Sequence, residues 1–234
     1  MTRDPTTPLE DARARSLLDA QRKAAALFAE IERGLLRPGI TESRLSRDIH
    51  ELAARKFGVA EHWHKRVIRA GANTLRPYNE DPPDLTIRED DILFVDLGPV
   101  FAAWEADFGR TYVLGRDPRK HALRDALAPV FNAAKAHFRS HPEITGEALY
   151  ETACRLAAEA GWEFGGTIAG HLVGEFPHER IQGDRITLYI TRGNREPLSR
   201  LDPSGRKRHW ILEIHLVDRA RQIGGFLEEL LTVD

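Results

Sequence analysis

A mixed α/β domain of the α+β kind, with helical pairs followed by strands, is predicted by three features of the chain. Apolar residues recur at helical spacing in two stretches near the start and again in two stretches after residue 118. Strand-like segments follow each helical pair. A helix-opening signature also occurs twice, as Pro38-Gly39-Ile40-Thr41-Glu42 and as Pro142-Glu143-Ile144-Thr145-Gly146. Ile40 and Ile144 occupy matching places, and Leu45 and Leu149 repeat the same offset. The reading is a single domain, 1–234, of two related halves spanning about 9–115 and 118–234. The plain alternative is that two capped amphipathic helices share a start signal by chance.

The elements follow in order. Residues 9–36 carry Leu17, Leu18, Ala24, Ala25, Leu27, Phe28 and Ile31 at helical spacing, and Gly34 with Pro38-Gly39 ends the run. Thr41 is an N-cap for a second helix to about Phe57, which Gly58 terminates. Residues 62–70, 92–98 and 106–114 read as strands, with an Asn-, Pro- and Asp-rich loop at 73–83. Residues 121–138 form a third helix, with Pro129 a possible kink. Thr145 caps a fourth helix that ends at Gly161. Strands are expected at 164–173, 185–190, 209–217 and 225–231.

Composition narrows the function classes. Thirty-four Lys and Arg against 36 Asp and Glu leave a formal net charge of −2 and no global basic field for nucleic acid. The single cysteine, Cys154, excludes an internal disulfide framework and reads as an inert thiol on a helix. The opening residues are polar and the apolar runs are short, so neither a signal sequence nor a membrane span is expected. These points lead to an expected cytoplasmic location and no membrane partner. The basic stretch 200–209 contains Asp-Pro-Ser-Gly and reads as a solvated turn.

The chemical signal lies in acids placed inside apolar strands. Asp96 sits in Phe94-Val95-Asp96-Leu97-Gly98 and Asp107 in Ala106-Asp107-Phe108-Gly109-Arg110-Thr111. If the two strands form a hairpin, residues whose numbers sum to 203 face each other, and Asp96 and Asp107 become a cross-strand pair with β-carbons about 5 Å apart. Such a pair needs a positive charge between the carboxylates. Arg110 is the structural candidate; a bound metal pair is the functional one. Glu213 and Glu228 can likewise face each other across a hairpin centred near Ala220-Arg221, with Glu229 on the opposite face. His171, between Gly170 and Gly174 at a strand end, is a possible fifth group.

Taken in order, Asp, Asp, His, Glu and Glu resemble the pita-bread metallopeptidases, the group of methionine aminopeptidase, aminopeptidase P and prolidase. Val-Asp-Leu-Gly, Ala-Asp-Phe-Gly-Arg-Thr, Gly-His-x-x-Gly with a later His-Glu, and Gly-Gly-Phe-Leu-Glu-Glu carry the match, which covers nearly the whole chain. The phrases look closer to the Xaa-Pro branch. The resemblance implies the pita-bread fold, a curved antiparallel sheet in two pseudo-symmetric halves. It implies Asp96, Asp107, His171, Glu213 and Glu228 as ligands of two divalent metal ions. Manganese is the first expectation; cobalt, iron and zinc also suit four carboxylates and one imidazole. Two such ions about 3.5–4 Å apart can share a hydroxide and polarise a carbonyl. Glu213 becomes the candidate general base, and His178 matches a histidine that contacts substrate or the developing oxyanion. The implied activity is Xaa-Pro aminopeptidase or dipeptidase cleavage of a small peptide, and homodimers are common among such relatives.

Several positions depart from the family pattern. Tyr78 stands near a loop histidine of the family and is a poor proton donor at neutral pH. His62 and His64 are possible substitutes for it. Leu172 and Ile214 replace residues that are often Gly and Pro. The separate N-terminal domain of prolidases and aminopeptidases P is not seen in the sequence. Trp63 and Trp104 flank the site and are candidates for lining a pocket. The rival readings are therefore methionine aminopeptidase-like activity, hydrolysis of a non-peptide C–N bond, and a binding protein that keeps the fold without turnover.

Overall fold

A computed structural model describes residues 7–76, 78–177 and 185–234. Two helices open the chain, α1 (Thr7–Gly34) and α2 (Glu42–Phe57), followed by strands β1 (Val67–Ala70) and β2 (Ile92–Leu97). A small hairpin, β3 (Val100–Phe101) and β4 (Trp104–Glu105), precedes β5 (Phe108–Val113). The plan then repeats with α3 (Pro118–Ser140) and α4 (Gly146–Glu159). Strands β6 (Glu163–Phe164), β7 (Ile168–Val173), β8 (Tyr189–Thr191), β9 (His209–Asp218) and β10 (Ile223–Leu230) complete it.

Local chemistry explains the boundaries. Thr41 and Thr145 adopt extended backbones with φ of −84° at both, and each hydroxyl accepts the amide hydrogen three residues on. Gly58 closes α2 in the left-handed conformation with φ of 65°. Pro129 is exposed, and α3 continues through it to Ser140.

The main sheet is antiparallel in the order β1-β2-β5-β10-β9-β7-β8, with β6 on β9. Alternation along each strand divides its side chains between two layers. Leu93, Val95 and Leu97 pack with Leu27, Ile31, Leu45 and Ile49 from α1 and α2. Leu212, Ile214 and Leu216 pack with Leu123, Leu127, Leu149 and Ala153 from α3 and α4. Truncating one of the fully buried leucines to Ala costs about 2–5 kcal/mol. The intervening residues, Phe94 and Asp96 on β2 and Glu213 and His215 on β9, turn to the other face, where a cavity of about 760 Å³ lies.

The observed elements correct several expected bounds. The first strand begins at Val67, because His62 makes only an isolated bridge to Pro99. Gly71–Leu75 is a 3-10 turn. Gly165 and Gly166 separate β6 from β7, and Ile186–Leu188 is a 3-10 turn ahead of β8. Among the described residues, no helix is long and apolar enough to cross a membrane.

Candidate metal centre

Asp96 and Asp107 meet, but in a different register from the one the spacing suggests. Asp96 pairs with Gly109 and Leu97 with Phe108, so paired numbers sum to 205 and Asp107 lies just before β5. The cause is where the chain turns: Val100–Glu105 and Phe101–Trp104 keep the same sum, so the turn falls at Ala102-Ala103, one residue later than the spacing of the aspartates suggests. The two aspartates are therefore diagonal rather than directly opposed. Glu213 and Glu228 do face each other, within a β9–β10 register that runs from Asp218–Ile223 to Ile211–Leu230.

Arg110 is not the counter-charge of the aspartates. It alternates to the other face, where its guanidinium donates to Glu229 and covers the Phe108 ring at 3.8 Å. The cations nearest the acids are imidazoles. His171 Nε2 lies 3.1 Å from Asp107 Oδ2 and 4.0 Å from Glu228 Oε1. His64 Nε2 lies 3.2 Å from Asp107 Oδ1 and 3.6 Å from Asp96 Oδ1. Gly170 positions His171: with φ of +134°, it passes so close to the Ile211 carbonyl that a β-carbon would sit 2.2 Å from that oxygen.

Electrostatics show what the cluster lacks. Burial pushes Asp96 up to about 7, with Asp107 adding to the rise and His64 opposing it. Burial likewise raises Glu213 to about 8, with Asp96 and Asp107 adding to the effect. Glu228 is raised well above the usual carboxylate range by burial and by Asp107, Asp96 and Glu213. Asp107 moves the other way: burial opposes its ionisation, but His64 and His171 outweigh it. Burial also works against a charged His64, yet Asp107 and Asp96 hold that ring up at about 9. Among the described residues Asp96 Oδ1 is buried without a hydrogen bond. Crowded acids, an orphan carboxylate oxygen and imidazole nitrogens form a donor set that fits divalent cations. Two groups could hold one, His64–Asp96–Asp107 and Asp107–His171–Glu228, and they share Asp107.

Of the residues expected on the substrate side, His64 and Tyr78 line the cavity, with their rings 5.9 Å apart. Trp104 does not line it: its indole packs with Leu17, Val173, Ile211 and Leu230 under α1. Trp63 does, and its Nε1 donates to the Ala106 carbonyl at 3.0 Å. His62 lies away from the cavity beside His50, and burial lowers it to about 4. His178 lies outside the described residues. Phe94, His215 and Phe226 also line the cavity, although the sequence reading did not select them. Each stands two positions from a site acid, Asp96, Glu213 or Glu228, and period-two alternation is the signal that finds them.

The fold agrees with comparison to known proteins. The model of metallopeptidase family M24 matches residues 15–199, and the chain belongs to that family. A Mycoplasma pneumoniae protein described as "Putative Xaa-Pro aminopeptidase" is 28% identical over 148 residues, covering 62% of this chain and 41% of that protein. A dipeptidase from Pyrococcus horikoshii superposes with a TM-score of 0.72 at 22% identity, covering 93% of this chain and 56% of the other. An X-Pro aminopeptidase from Thermotoga maritima gives 0.71 at 19% identity, covering 96% and 62%. These structures establish the shared pita-bread architecture. The chain spans less than half the length of the curated relatives it matches.

Proposed function

We propose that this chain is a dinuclear metal-dependent peptidase of the Xaa-Pro aminopeptidase or dipeptidase type, acting on small peptides. The observation that carries the reading is the convergence of Asp96, Asp107, His171, Glu213 and Glu228 on one cavity, with a buried Asp96 oxygen that makes no hydrogen bond among the described residues. Those five residues would hold the ions, and Mn²⁺ is the first candidate for an oxygen-rich set. Bound divalent ions supply Lewis acidity toward a carbonyl oxygen and toward water.

The chain's own groups perform the remaining work. Glu213 projects from β9 into the cavity opposite Glu228, where its carboxylate can take a proton from the attacking water and return it to the departing amine. His178 is assigned to the oxyanion on the strength of the family resemblance. Phe94, Phe226 and Trp63 form an apolar wall that suits a prolyl ring and keeps bulk water from the reacting atoms. Tyr78, half-exposed at the mouth beside Lys65, is placed to contact the incoming peptide.

The test is parallel hydrolysis of Ala-Pro, Ala-Pro-Ala and Met-Ala-Ser by the Mn²⁺-loaded protein, with a chelated control. Chelator-sensitive cleavage of a proline-containing peptide is expected. Preference for Met-Ala-Ser would move the chain to the methionine aminopeptidase type, and turnover of none would favour a binding role.

A further inference from the structure

His64 has a more specific place than a substrate contact. The segment that carries it is laid along the strand ends bearing the aspartates. Trp63 N donates to the Gly98 carbonyl at 2.9 Å, Val100 N donates to the Glu61 carbonyl at 3.0 Å, and the Trp63 indole reaches the Ala106 carbonyl beside Asp107. Gly98 leaves the space: a β-carbon there would lie 2.2 Å from His64 Cδ2. The imidazole is thus seated by backbone pairing on one side and by the indole, with centroids 4.5 Å apart, on another.

Its hydrogen bonding duplicates that of His171. His64 Nδ1 lies 2.7 Å from the Lys65 carbonyl, and His171 Nδ1 lies 2.8 Å from the Leu172 carbonyl. A carbonyl only accepts, so both Nδ1 atoms carry hydrogen and both rings present Nε2 to the acids. Each Nε2 addresses a different oxygen of Asp107. A ring anchored through Nδ1–H to a carbonyl is the usual support of a metal-ligating histidine. His64 also faces Asp96 Oδ1, the oxygen without a hydrogen bond.

We infer that His64 is a sixth metal ligand, so that one ion is held by His64, Asp96 and Asp107 and the other by His171, Asp107 and Glu228. Glu213 adjoins both groups. The inference rests on the dinuclear reading above and adds a second imidazole, which gives one to each ion. A second nitrogen donor shifts the set toward borderline metals, raising Co²⁺ and Zn²⁺ relative to Mn²⁺.

The test measures tightly held metal per chain, and the ratio of Co²⁺ to Mn²⁺ affinity, in the parent and in His64→Ala. Two equivalents in the parent, with one lost or weakened at least 10-fold in the variant and a lower Co²⁺ preference, are expected. Should the variant fail to fold, a crystal structure of the Zn²⁺-loaded parent decides. His64 Nε2 within about 2.0–2.1 Å of an ion supports the assignment, and a separation beyond about 3 Å, outside coordination distance, overturns it. Two ions in the parent with unchanged binding in His64→Ala remove His64 alone and leave the dinuclear reading standing. A parent that holds fewer than two ions in the cavity removes that reading itself.

Discussion

The two hairpins that supply the acids are built differently. In β9–β10 the turn is tight, the register runs unbroken through eight pairs, and Glu213 stands directly opposite Glu228. In β2–β5 the strand pairing breaks after Leu97–Phe108 and resumes in the same register at Val100–Glu105, so Asp107 falls in the break, before the strand, and stands diagonal to Asp96. At that break Trp63 bonds to the Gly98 and Ala106 carbonyls and Gly98 leaves space for the His64 ring, while Ala106 N still donates to the Pro99 carbonyl at 3.0 Å. A regular hairpin delivers carboxylates alone, whereas an interrupted one also admits a nitrogen donor from a distant segment.

The largest expected effect separates the inner and outer faces of these hairpins. Asp107→Asn removes the carboxylate common to both candidate ion groups and should lower kcat/KM by at least about 1000-fold, on the order of 4 kcal/mol. Glu229→Gln, on the outer face with Arg110, should leave metal content unchanged and alter stability by no more than about 1 kcal/mol. Metal analysis and urea denaturation of both variants check the contrast. Equal metal loss in the two would erase the distinction between faces.

A smaller effect belongs to the seam between the hairpins. β5 and β10 share only the Glu228–Gly109 register pair. The buried Thr111 hydroxyl reinforces it, donating to the Phe226 carbonyl at 2.8 Å and accepting from the Phe226 amide at 2.6 Å. Thr111→Val leaves both backbone groups without that partner. It should cost about 1–3 kcal/mol of unfolding free energy, read by urea denaturation, and weaken metal binding. Full stability with weakened metal would show that the seam aligns the hairpins more than it holds them.

The smallest effect is a pH slope in the metal-free protein. Asp96 near 7, Glu213 near 8 and His64 near 9 all bind protons more tightly folded than unfolded, so their contribution fades as pH rises through those values. His62 and His215, both lowered to about 4 chiefly by burial, act oppositely, but their contribution is complete once pH passes the ordinary histidine value of 6.5. From pH 6.5 to 9 the metal-free Tm should therefore fall, by about 2–4 °C for each kcal/mol lost. Saturating metal should flatten the slope, because the ions replace the protons as counter-charge. Calorimetry with and without metal reads it, and a metal-free Tm that rises over this range would contradict the charge assignment.

What could be read in the sequence follows from how local each signal is. Thr41, Thr145 and Gly58 mark helix ends through contacts within a few residues, so the caps are legible. The Glu213–Glu228 pairing is legible because a tight turn makes register a matter of counting. The aspartate register is not, since nothing in the spacing of the two acids reveals that the turn falls at Ala102-Ala103. Trp104 misleads for a related reason: its proximity in sequence to Asp107 says nothing of the side to which its indole turns, and that side is the core. His64 is visible as a stray histidine, but its seat depends on Gly98 and Ala106, contacts more than thirty residues away.

Acids from both hairpins and imidazoles from two further segments are proposed to form one two-ion hydrolytic centre. Titrating the metal-free chain with Mn²⁺ while following proline-peptide cleavage tests it most directly. Activity should be negligible without metal and climb to a plateau at two equivalents per chain. Cleavage that is already complete in the metal-free protein, or that ignores added metal, would contradict it.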